Sequence, residues 1–517
     1  MKKELLDKEV ICIYDTRAIQ KFIFSNNYNI DIIGAGNIVS DVLQEALRYA
    51  IENNQGMPLG RDEYCMSEME DLDNVPYFDD QKIRAQVVTI GGGNAFMLYR
   101  TGRLCSEVSK AFSRYILEHT YSLQVAVAAV AKTENMDNDI NQLYLKLDRI
   151  KNTEAFSHPL GTLPIIKKEK TSGAPVIGTD KDTGEEISMQ TFFRREKVRT
   201  DKHLQNKVRT LGELSKYNDK LAYIHMDGNS MGLTIGRIMG SISDYKEGII
   251  ARRRLNMNIM NQYMQTLAVS RDWLLTRMVD DGIPAEESER YFQELHAGGD
   301  DINIAMNARY SFMFVEHFIK EVSKKTLWND DRLGIIYFSV CAGIALVSAD
   351  VSCGMGLWLA ESCCETAKNE AKKPINLING NVGNWIDFHI NEDSYINDID
   401  TIREDRFKTD TNTYLCLRPY CVDRERSDTP TYYEKFKTLC RMLQNGIYEE
   451  KVTRMLLDGY GVGMSYMDNQ LKSFELLGGE IPDSIGKAYV RVAGREGNYA
   501  NWFDALQVMD YMGKARI

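Results

Sequence analysis

His296-Ala297-Gly298-Gly299-Asp300-Asp301 is the segment of this chain from which both the fold and the chemistry can be inferred. Two glycines allow a tight turn between strands without steric cost, and two adjacent aspartates follow them. Carboxylate oxygens are the hard ligands that Mg²⁺ or Mn²⁺ prefers. The segment therefore predicts a hairpin whose tip could hold a divalent cation and a triphosphate.

The residues on either side of this segment have the pattern of β-strands. Residues 291–295 precede it, and Ile302, Ile304 and Met306 alternate with other residues after it, as expected for a half-buried strand. Glycine and aspartate are also the commonest residues of ordinary turns, so the segment alone could be a solvated hairpin tip.

A third aspartate favours the metal-binding interpretation. The apolar run 221–224 leads into Asp227, which we therefore expect at the end of a strand. Three acids on neighbouring strand ends suit phosphoryl transfer with two metal ions, which neutralise charge on the phosphates. We predict that Asp227, Asp300 and Asp301 are catalytic and bind two Mg²⁺ (or Mn²⁺) ions.

The same order of elements occurs twice along the chain, which indicates an internal repeat. Each repeat has an apolar strand that ends in an aspartate, then a helix and a hairpin with a glycine turn. A further strand, predicted at 123–128 in the first repeat and at 336–341 in the second, precedes a helix that carries lysine.

The two repeats differ at the turn of the hairpin. The first has Gly93-Asn94 where the second has Asp300-Asp301, and neither glycine nor an amide supplies the negative charge that a metal ion needs. Only the second repeat is therefore expected to be catalytic. Asp15, at the strand end of the first repeat, is then either a helix cap or an unpartnered remnant, and we favour the cap.

Length and pattern divide the chain into four parts. At 517 residues it is too long for a single core. We predict a degenerate first repeat (1–152), an irregular linker with a helical insert (153–218), a catalytic second repeat (219–395) and a C-terminal helical domain (396–517). The last of these rests on an apolar helical face formed by Phe436, Leu439, Met442 and Leu443.

Composition narrows the functional classes. The chain is 44% hydrophobic and 26% charged, with no signal-peptide region and no apolar run of membrane-spanning length, so we expect a cytoplasmic protein without a membrane partner. Its ten cysteines include no Cys-x-x-Cys pair, so the sequence indicates neither a zinc ribbon nor a disulfide framework.

The net charge of -11 argues against a large nonspecific nucleic-acid surface. Basic runs at 197–216 and 252–254 are either solvated helix faces or RNA contacts.

The segments Asp227-Gly228-Asn229-Ser230-Met231-Gly232 and Ala297-Gly298-Gly299-Asp300-Asp301 resemble the large Palm-domain subunit of type III CRISPR effector complexes, whose Palm is related to GGDEF nucleotide cyclases. The resemblance extends over most of the chain, including residues 15–23 and the acid-free turn Gly91-Gly92-Gly93-Asn94. It implies an α+β fold with two ferredoxin-like Palm domains, one of them degenerate. It also implies a cyclic oligoadenylate synthetase in antiviral defence, which condenses ATP or another NTP by 3′-OH attack on an α-phosphate and releases pyrophosphate.

The resemblance also implies roles for individual residues. Asp227, Asp300 and Asp301 would hold the metals, and Lys368 would meet the triphosphate unless it is simply an exposed helix lysine. The nucleotide would also contact residues of the two glycine-containing segments, namely Gly228, Asn229, Ser230, Gly298 and Gly299. His296 is either a buried strand residue or a proton carrier.

Two departures from the family pattern carry expectations of their own. None of the seven histidines is followed by aspartate and the first strand begins at once, so the HD nuclease domain of many members and its DNase activity are expected to be absent. The zinc-binding cysteines found between the Palm domains of many relatives are missing at 171–175. How the linker docks is therefore open.

Three functions remain compatible with the sequence. The first is the nucleotidyltransferase described above, with ATP or another NTP as substrate and guide or target RNA and other CRISPR effector subunits as candidate partners. The second is a non-catalytic scaffold subunit of an RNA-guided complex. The third is a free-standing defence cyclase that needs no guide RNA, which the acidic net charge favours. Assembly into a homo-oligomer is compatible with all three.

Overall fold

The computed structural model describes most of the chain. The described residues are 3–26, 28–66, 71–152, 165–205, 214–215, 220–378, 380–391, 398–410, 412–445, 450–478 and 487–512. Two repeated units of mixed strands and helices form the centre of the molecule, which confirms the predicted α+β class. Parts of the predicted linker and of its basic run, at 153–164, 206–213 and 216–219, lie outside the described residues.

The first repeat is built on a five-stranded sheet with the order β2-β3-β4-β1-β5. Its first strand, between β4 and β5, buries alternate residues on opposite faces of the sheet, so that Cys12 and Tyr14 pack in one core and Ile11 and Ile13 in another. The elements of this repeat are β1 (Val10–Arg17), α1 (Ile19–Ile23), α2 (Asn29–Asn53), β2 (Tyr64–Cys65), β3 (Ala85–Gly91), β4 (Asn94–Tyr99), α3 (Gly102–Thr120), β5 (Gln124–Ala131) and α4 (Met136–Lys151).

The linker docks onto α2 of the first repeat through buried ion pairs. Its described elements are β6 (Val176–Thr179), β7 (Glu186–Ser188), α5 (Met189–Thr200) and α6 (Lys202–Gln205). The guanidinium of Arg195 lies 2.9 Å from Asp31 of α2 and 3.3 Å from Asp180, and all three side chains are buried. A Cβ at Gly34 would lie 2.1 Å from the carbonyl oxygen of Arg194, so glycine lets α2 and α5 approach closely. Charge pairing and close packing thus hold the linker without zinc-binding cysteines.

The second repeat is built on a six-stranded sheet with the order β17-β14-β13-β8-β10-β9. Its edge strand β17 (Tyr420–Cys421) comes from the C-terminal part of the chain. The elements of this repeat are β8 (Lys220–Gly228), α7 (Met231–Met239), α8 (Tyr245–Asp280), α9 (Ala285–Ser288), β9 (Phe292–Gly298), β10 (Asp301–Asn307), α10 (Ala308–Val322), β11 (Thr326–Asp330), β12 (Gly334–Tyr337), β13 (Val340–Ser348), α11 (Cys353–Ala371) and β14 (Trp385–Ile390).

The strand predicted at 336–341 is wrong. The residues divide between β12, which forms a small hairpin with β11, and β13, which pairs with β8 in the main sheet. Tyr337 is 54% exposed, whereas the following strand is buried from Val340 onward. Ser339 is the one polar residue between the two apolar runs, and a single serine does not by itself indicate a break between strands.

The C-terminal part combines helices with a small sheet of order β15-β16-β19-β18. Phe436, Leu439 and Leu443 are buried, which confirms the predicted apolar face of α13. The elements are α12 (Ile399–Arg406), β15 (Lys408–Asp410), β16 (Thr413–Tyr414), α13 (Tyr433–Gln444), α14 (Glu450–Val462), α15 (Met464–Leu476), β18 (Tyr489–Val490), β19 (Asn498–Ala500) and α16 (Phe503–Val508). Among the described residues, no helix combines the length and apolar character needed to cross a membrane.

Each repeat packs its long second helix against the hairpin of the other. Helix α2 of the first repeat lies on β9, where a Cβ at Gly36 would be 3.1 Å from His296 Nδ1. Helix α8 of the second repeat lies on β3, where Asn256 donates a hydrogen bond of 3.0 Å to the carbonyl of Ile90. Because each long helix packs on the other repeat's hairpin, α1 of the first repeat lies next to the hairpin tip of the second.

Candidate active site

The three predicted acids meet at the end of strand β8 and the start of strand β10, in the interior of the second repeat's sheet. Strands β8 and β10 are antiparallel with Met226 opposite Ile302, so Asp227 and Asp301 follow as the next cross-strand neighbours. Asp300 is the second residue of the two-residue turn between β9 and β10. The first turn residue, Gly299, has φ 74°, which glycine adopts without strain.

Asp300 lies deepest in this acidic group. Desolvation by burial and the neighbouring charge of Asp227 raise the pKa of its carboxyl group to about 7. A Cβ at Gly228 would lie 2.6 Å from Asp300 Oδ2, so the glycine after Asp227 makes room for this carboxylate. The surroundings of Asp300 therefore favour either a bound proton or a nearby cation.

Lys368 of α11 supplies the cation that Asp227 contacts. Its Nζ donates a hydrogen bond to Asp227 Oδ2, and only 16% of the lysine side chain is exposed. Burial alone would lower the pKa of Lys368, but Cys364 and Asp227 raise it above its usual value. Lys368 is therefore charged at the site, and it is not a solvated helix lysine.

Asp301 is held by amide donors from two different repeats. Gln20 of α1 donates to Asp301 Oδ2 at 2.9 Å, and Asn303 donates to Oδ1 at 2.7 Å. His225 Nδ1 lies 3.0 Å from the amide oxygen of Asn303, which fixes the orientation of that amide. Both oxygens of Asp301 are thus oriented before any ligand binds.

The donor chemistry of the site fits a divalent cation. Three carboxylates offer hard oxygen ligands, and the partly buried Asp300 is ionised at a cost that a cation would offset. In the part of the chain that the structure describes, no three acidic, histidine or cysteine side chains already surround a common metal position. Asp227 faces Lys368 instead, and Asp301 faces Gln20 and Asn303.

The chain bends sharply after Asp227, and residues 228–230 form this bend, the elbow, at the start of α7. The backbone N–H of Asn229 donates to the carbonyl of Ser339 at 2.8 Å, and its side chain donates to the carbonyl of Gly383 at 2.9 Å. Ser230 occupies the left-handed region at φ 56°, a strained conformation for a residue with a side chain. Its hydroxyl is buried and has no hydrogen-bond partner among the described residues. The elbow thus presents polar groups at a helix N-terminus, where anions bind readily.

A cavity of about 950 Å³ begins at this elbow. It is lined by Ser230 and Leu233 on one side, by Tyr337 of β12 on another, and by Lys372 beyond α11. This volume lies within the range of small-molecule sites. The cavity therefore provides space for a ligand next to Ser230, although its lining includes none of the three acids.

His296 and the two glycines have structural positions in the hairpin. His296 is buried, and burial lowers its pKa below the usual value. A Cβ at Gly298 would lie 2.8 Å from His296 Nε2, so the glycine accommodates the ring. Gly299, by contrast, has open space where a Cβ would point. The arrangement favours the interpretation of His296 as a buried strand residue.

The first repeat retains much of this geometry without the turn acids. Asp15 pairs with Lys151 of α4 at 2.7 Å, as Asp227 pairs with Lys368. Ala18, the residue before α1, has φ 49°, close to that of Ser230. The prediction that Asp15 caps a helix is wrong, since Ala18 is the N-cap of α1 and Asp15 lies within β1. The alternative of an unpartnered remnant is also wrong, because Asp15 pairs with Lys151. This contact between distant segments has no signal in the sequence.

Five residues near the acids escaped the sequence-based prediction. His225 and Asn303 each lie two positions from a predicted aspartate on the same strand, so the two-residue periodicity could have identified them. Tyr263 of α8 has a buried hydroxyl, and its pKa is raised first by that burial and then by the charges of Asp300 and Asp227. Burial raises the pKa of Glu361 on α11, which also interacts with His225 and Asp301. These two and Gln20 come from distant segments, and only the tertiary structure brings them to the site.

Comparison with known proteins identifies the fold. No family model matches the chain, and no curated protein matches it. The crystal structure of Csm1 in T.onnurineus matches 98% of this chain and 70% of its own chain at 12% identity, with a TM-score of 0.50.

Two further Csm1 structures match less well in shape. The Csm1-Csm4 cassette in complex with one ATP is 10% identical over 98% of this chain and 70% of that chain, with a TM-score of 0.44. The cassette in complex with cA4 is 12% identical over 71% of this chain and 53% of that chain, with a TM-score of 0.40. The chain thus spans about half the length of the Csm1 in that complex. At these identities the comparison establishes that the protein has a Csm1-like fold.

Proposed function

We propose that this protein is a metal-dependent nucleotidyltransferase that converts ATP, or another NTP, to a cyclic oligonucleotide messenger in antiviral defence. The observation that carries the proposal is the meeting of Asp227, Asp300 and Asp301 at one strand edge, with Lys368 in contact with Asp227. The Csm1-like fold of the chain supports it. Subunits of a CRISPR effector complex and guide or target RNA are the partners that follow from this proposal.

Asp227, Asp300 and Asp301 would hold two Mg²⁺ or Mn²⁺ ions. When bound, these ions would neutralise phosphate charge and lower the pKa of the attacking hydroxyl group. Lys368 would release Asp227 and bind the triphosphate as a point charge. The N–H groups at the start of α7, beyond Ser230, would donate hydrogen bonds to phosphate oxygens.

In the proposed reaction the 3′-oxygen of one nucleotide bonds to the α-phosphorus of another. The bond between the α-phosphorus and the bridging oxygen of pyrophosphate breaks, and the 3′-hydroxyl proton leaves to solvent. Gly228 and Gly299 would allow the phosphates to approach the backbone, since neither presents a side chain to the site.

The test is to incubate the purified protein with each NTP and Mg²⁺ or Mn²⁺ and to identify products by mass spectrometry. We expect cyclic or linear oligonucleotides and pyrophosphate from the wild type and none from Asp300→Ala with Asp301→Ala. Asn94→Ala, at the equivalent strand start of the first repeat, is the matched control and should retain activity. Product formation by the double variant would refute the proposal.

A non-catalytic scaffold is the second candidate. The contact between Lys368 and Asp227 favours it, because a lysine that never leaves this aspartate would exclude a metal ion. Co-purification of guide RNA without any nucleotide product would support the scaffold. Product formation without added RNA or other subunits would instead indicate a free-standing cyclase.

A further inference from the structure

Gln20 of the first repeat reaches across the interface to an acid of the second. Its Nε2 donates to Asp301 Oδ2 at 2.9 Å, while Asn303 donates to Oδ1 at 2.7 Å. A carboxylate has about four lone-pair positions, and these two contacts use two of them. Asp301 can therefore be held by both amides and still present oxygen lone pairs to a cation.

The chemistry of the contact fixes the orientation of the Gln20 amide. If the amide were flipped, the Gln20 oxygen would face the Asp301 carboxylate, and two hydrogen-bond acceptors would be in contact. The amide oxygen, Oε1, is buried and has no hydrogen-bond partner among the described residues. The contact with Asp301 is thus the hydrogen bond that orients this side chain.

The acid-free turn of the first repeat makes room for the helix that carries Gln20. A Cβ at Gly93 would lie 2.4 Å from the Cδ1 atom of Ile19, the residue before Gln20. Gly93 occupies the position of Asp300, because Gly91 pairs with Asn94 as Gly298 pairs with Asp301. A side chain at this position would therefore have to displace the end of the Ile19 side chain, next to Gln20.

The contact runs in one direction only. Asp15 and Asp227 are equivalent, and so are the left-handed residues Ala18 and Ser230 three positions later. Gln20 lies five residues after Asp15, and five residues after Asp227 the second repeat has Gly232. A glycine has no side chain with which to return the contact.

We propose that Gln20 is a positioning residue for Asp301, so that the acid-free repeat completes the metal site of the acid-bearing repeat. The inference rests on the proposed function, since it takes Asp301 as a metal ligand. Groups that orient a metal ligand typically contribute about 10–100-fold to metal affinity.

The experiment compares Mn²⁺ binding to the full-length wild type and to Gln20→Met, which keeps the side-chain length but removes the N–H donor. Mn²⁺ affinity is measured by calorimetry and by electron paramagnetic resonance without nucleotide, so the readout does not depend on activity. We expect Gln20→Met to bind Mn²⁺ about 10-fold more weakly. Asn256→Ala is the matched control, because Asn256 of the second repeat also donates an amide hydrogen bond across the interface, to the carbonyl of Ile90 in the acid-free hairpin. It should bind Mn²⁺ as the wild type does, and both variants should keep a wild-type melting temperature within a few degrees.

Each remaining outcome has a distinct meaning. Wild-type affinity in Gln20→Met, with binding lost in Asp300→Ala with Asp301→Ala, would overturn the positioning role and leave the proposed function intact. Equal loss in Gln20→Met and Asn256→Ala would overturn it as well, because the interface as a whole would then be responsible. Absence of Mn²⁺ binding by the wild type would overturn both the positioning role and the metal-dependent function.

Discussion

The hairpin of the first repeat and that of the second have the same register across a two-residue turn but differ in the backbone conformation of that turn. In the first, Gly92 and Gly93 both have positive φ, at 58° and 76°. In the second, only Gly299 does, and Asp300 follows it with its carboxylate over Gly228. The second turn position thus needs glycine in one repeat and accepts an acid in the other. The absence of an acid at the Asp300 position is therefore built into the backbone of the first repeat, whereas Asn94 differs from Asp301 by an exchange of side chains.

Around the turns the two repeats remain alike. Both keep an aspartate at the end of the first strand, a lysine in contact with it and a left-handed residue before the next helix. The aspartate and lysine common to both repeats therefore do not distinguish them. The two turn acids occur in the second repeat alone, and we assign chemistry to Asp227 and Lys368 because those acids lie beside them.

The largest expected difference lies between the two strand-end aspartates. Asp227→Asn removes a proposed metal ligand, and a loss of several kcal/mol of transition-state stabilisation corresponds to a fall of about 10³-fold in product formation. Asp15→Asn makes the same change at the equivalent position and should leave the rate within about twofold, since it touches no proposed ligand. Both rates are measured as pyrophosphate release from ATP. Comparable losses in the two variants would mean that the first repeat takes part in the chemistry.

The two lysines should differ by a smaller factor. Lys368→Met removes a charge proposed to bind the triphosphate, and one charge-assisted contact of about 2 kcal/mol corresponds to about 30-fold in rate. Lys151→Met removes the partner of Asp15. The lysine of this ion pair is 37% exposed, and such a pair contributes about 0–1 kcal/mol of stability. Steady-state kinetics and thermal unfolding distinguish these effects. An unchanged rate in Lys368→Met would assign that lysine to structure alone.

Metal binding should depend on pH through Asp300. Its pKa is raised to about 7 without metal, and a ligand must lose its proton before it binds a cation. Mn²⁺ affinity should therefore fall about tenfold between pH 8 and pH 6, as the ionised fraction of Asp300 falls. Calorimetric titrations at several pH values measure this, with Asp300→Asn as a control that binds weakly throughout. A flat profile in the wild type would exclude Asp300 as a ligand.

The raised pKa of Asp300 also determines how the stability of the metal-free protein changes with pH. The pKa of Asp300 lies above its usual 3.8 in the folded state, so the folded state binds the extra proton between these values. Stability should decrease as the pH rises through this window, because the proton is lost from the folded state. Asp300→Asn removes that loss and should melt higher than the wild type at pH 8. A lower melting temperature for the variant would show that the carboxylate is not destabilising there.

The acid-bearing hairpin was predictable because its signals are local. A glycine turn between alternating strands determines the hairpin, and the strand pairing then brings Asp227 beside Asp301. The repeat was recognisable for the same reason, since each of its elements has its own periodicity. The break between β12 and β13 was not predictable, because burial changes there while Ser339 is the one polar residue between the two apolar runs.

The contacts between repeats were beyond sequence reasoning. Gln20 and Asp301 are 281 positions apart, and no spacing rule connects residues across an interface between two folded units. Lys368 was identified through the resemblance, but its contact with Asp227 depends on how α11 packs across the sheet. Tertiary packing, not local pattern, determines which side chains surround the acids.

The smallest expected effect tests whether the first turn can accept an acid at all. Gly93→Asp forces a side chain into left-handed backbone and against Ile19, and the backbone contribution costs about 1–2 kcal/mol. Gly92→Asp is the matched control, with a positive φ but no atom within 4 Å of its Cβ position. We expect both variants to melt a few degrees below the wild type, with Gly93→Asp lower and with its Mn²⁺ affinity also reduced, because the displaced Ile19 side chain adjoins Gln20. If Gly93→Asp bound a second equivalent of Mn²⁺ at wild-type stability, the two turns would be interchangeable and the backbone explanation for the missing acids would be wrong.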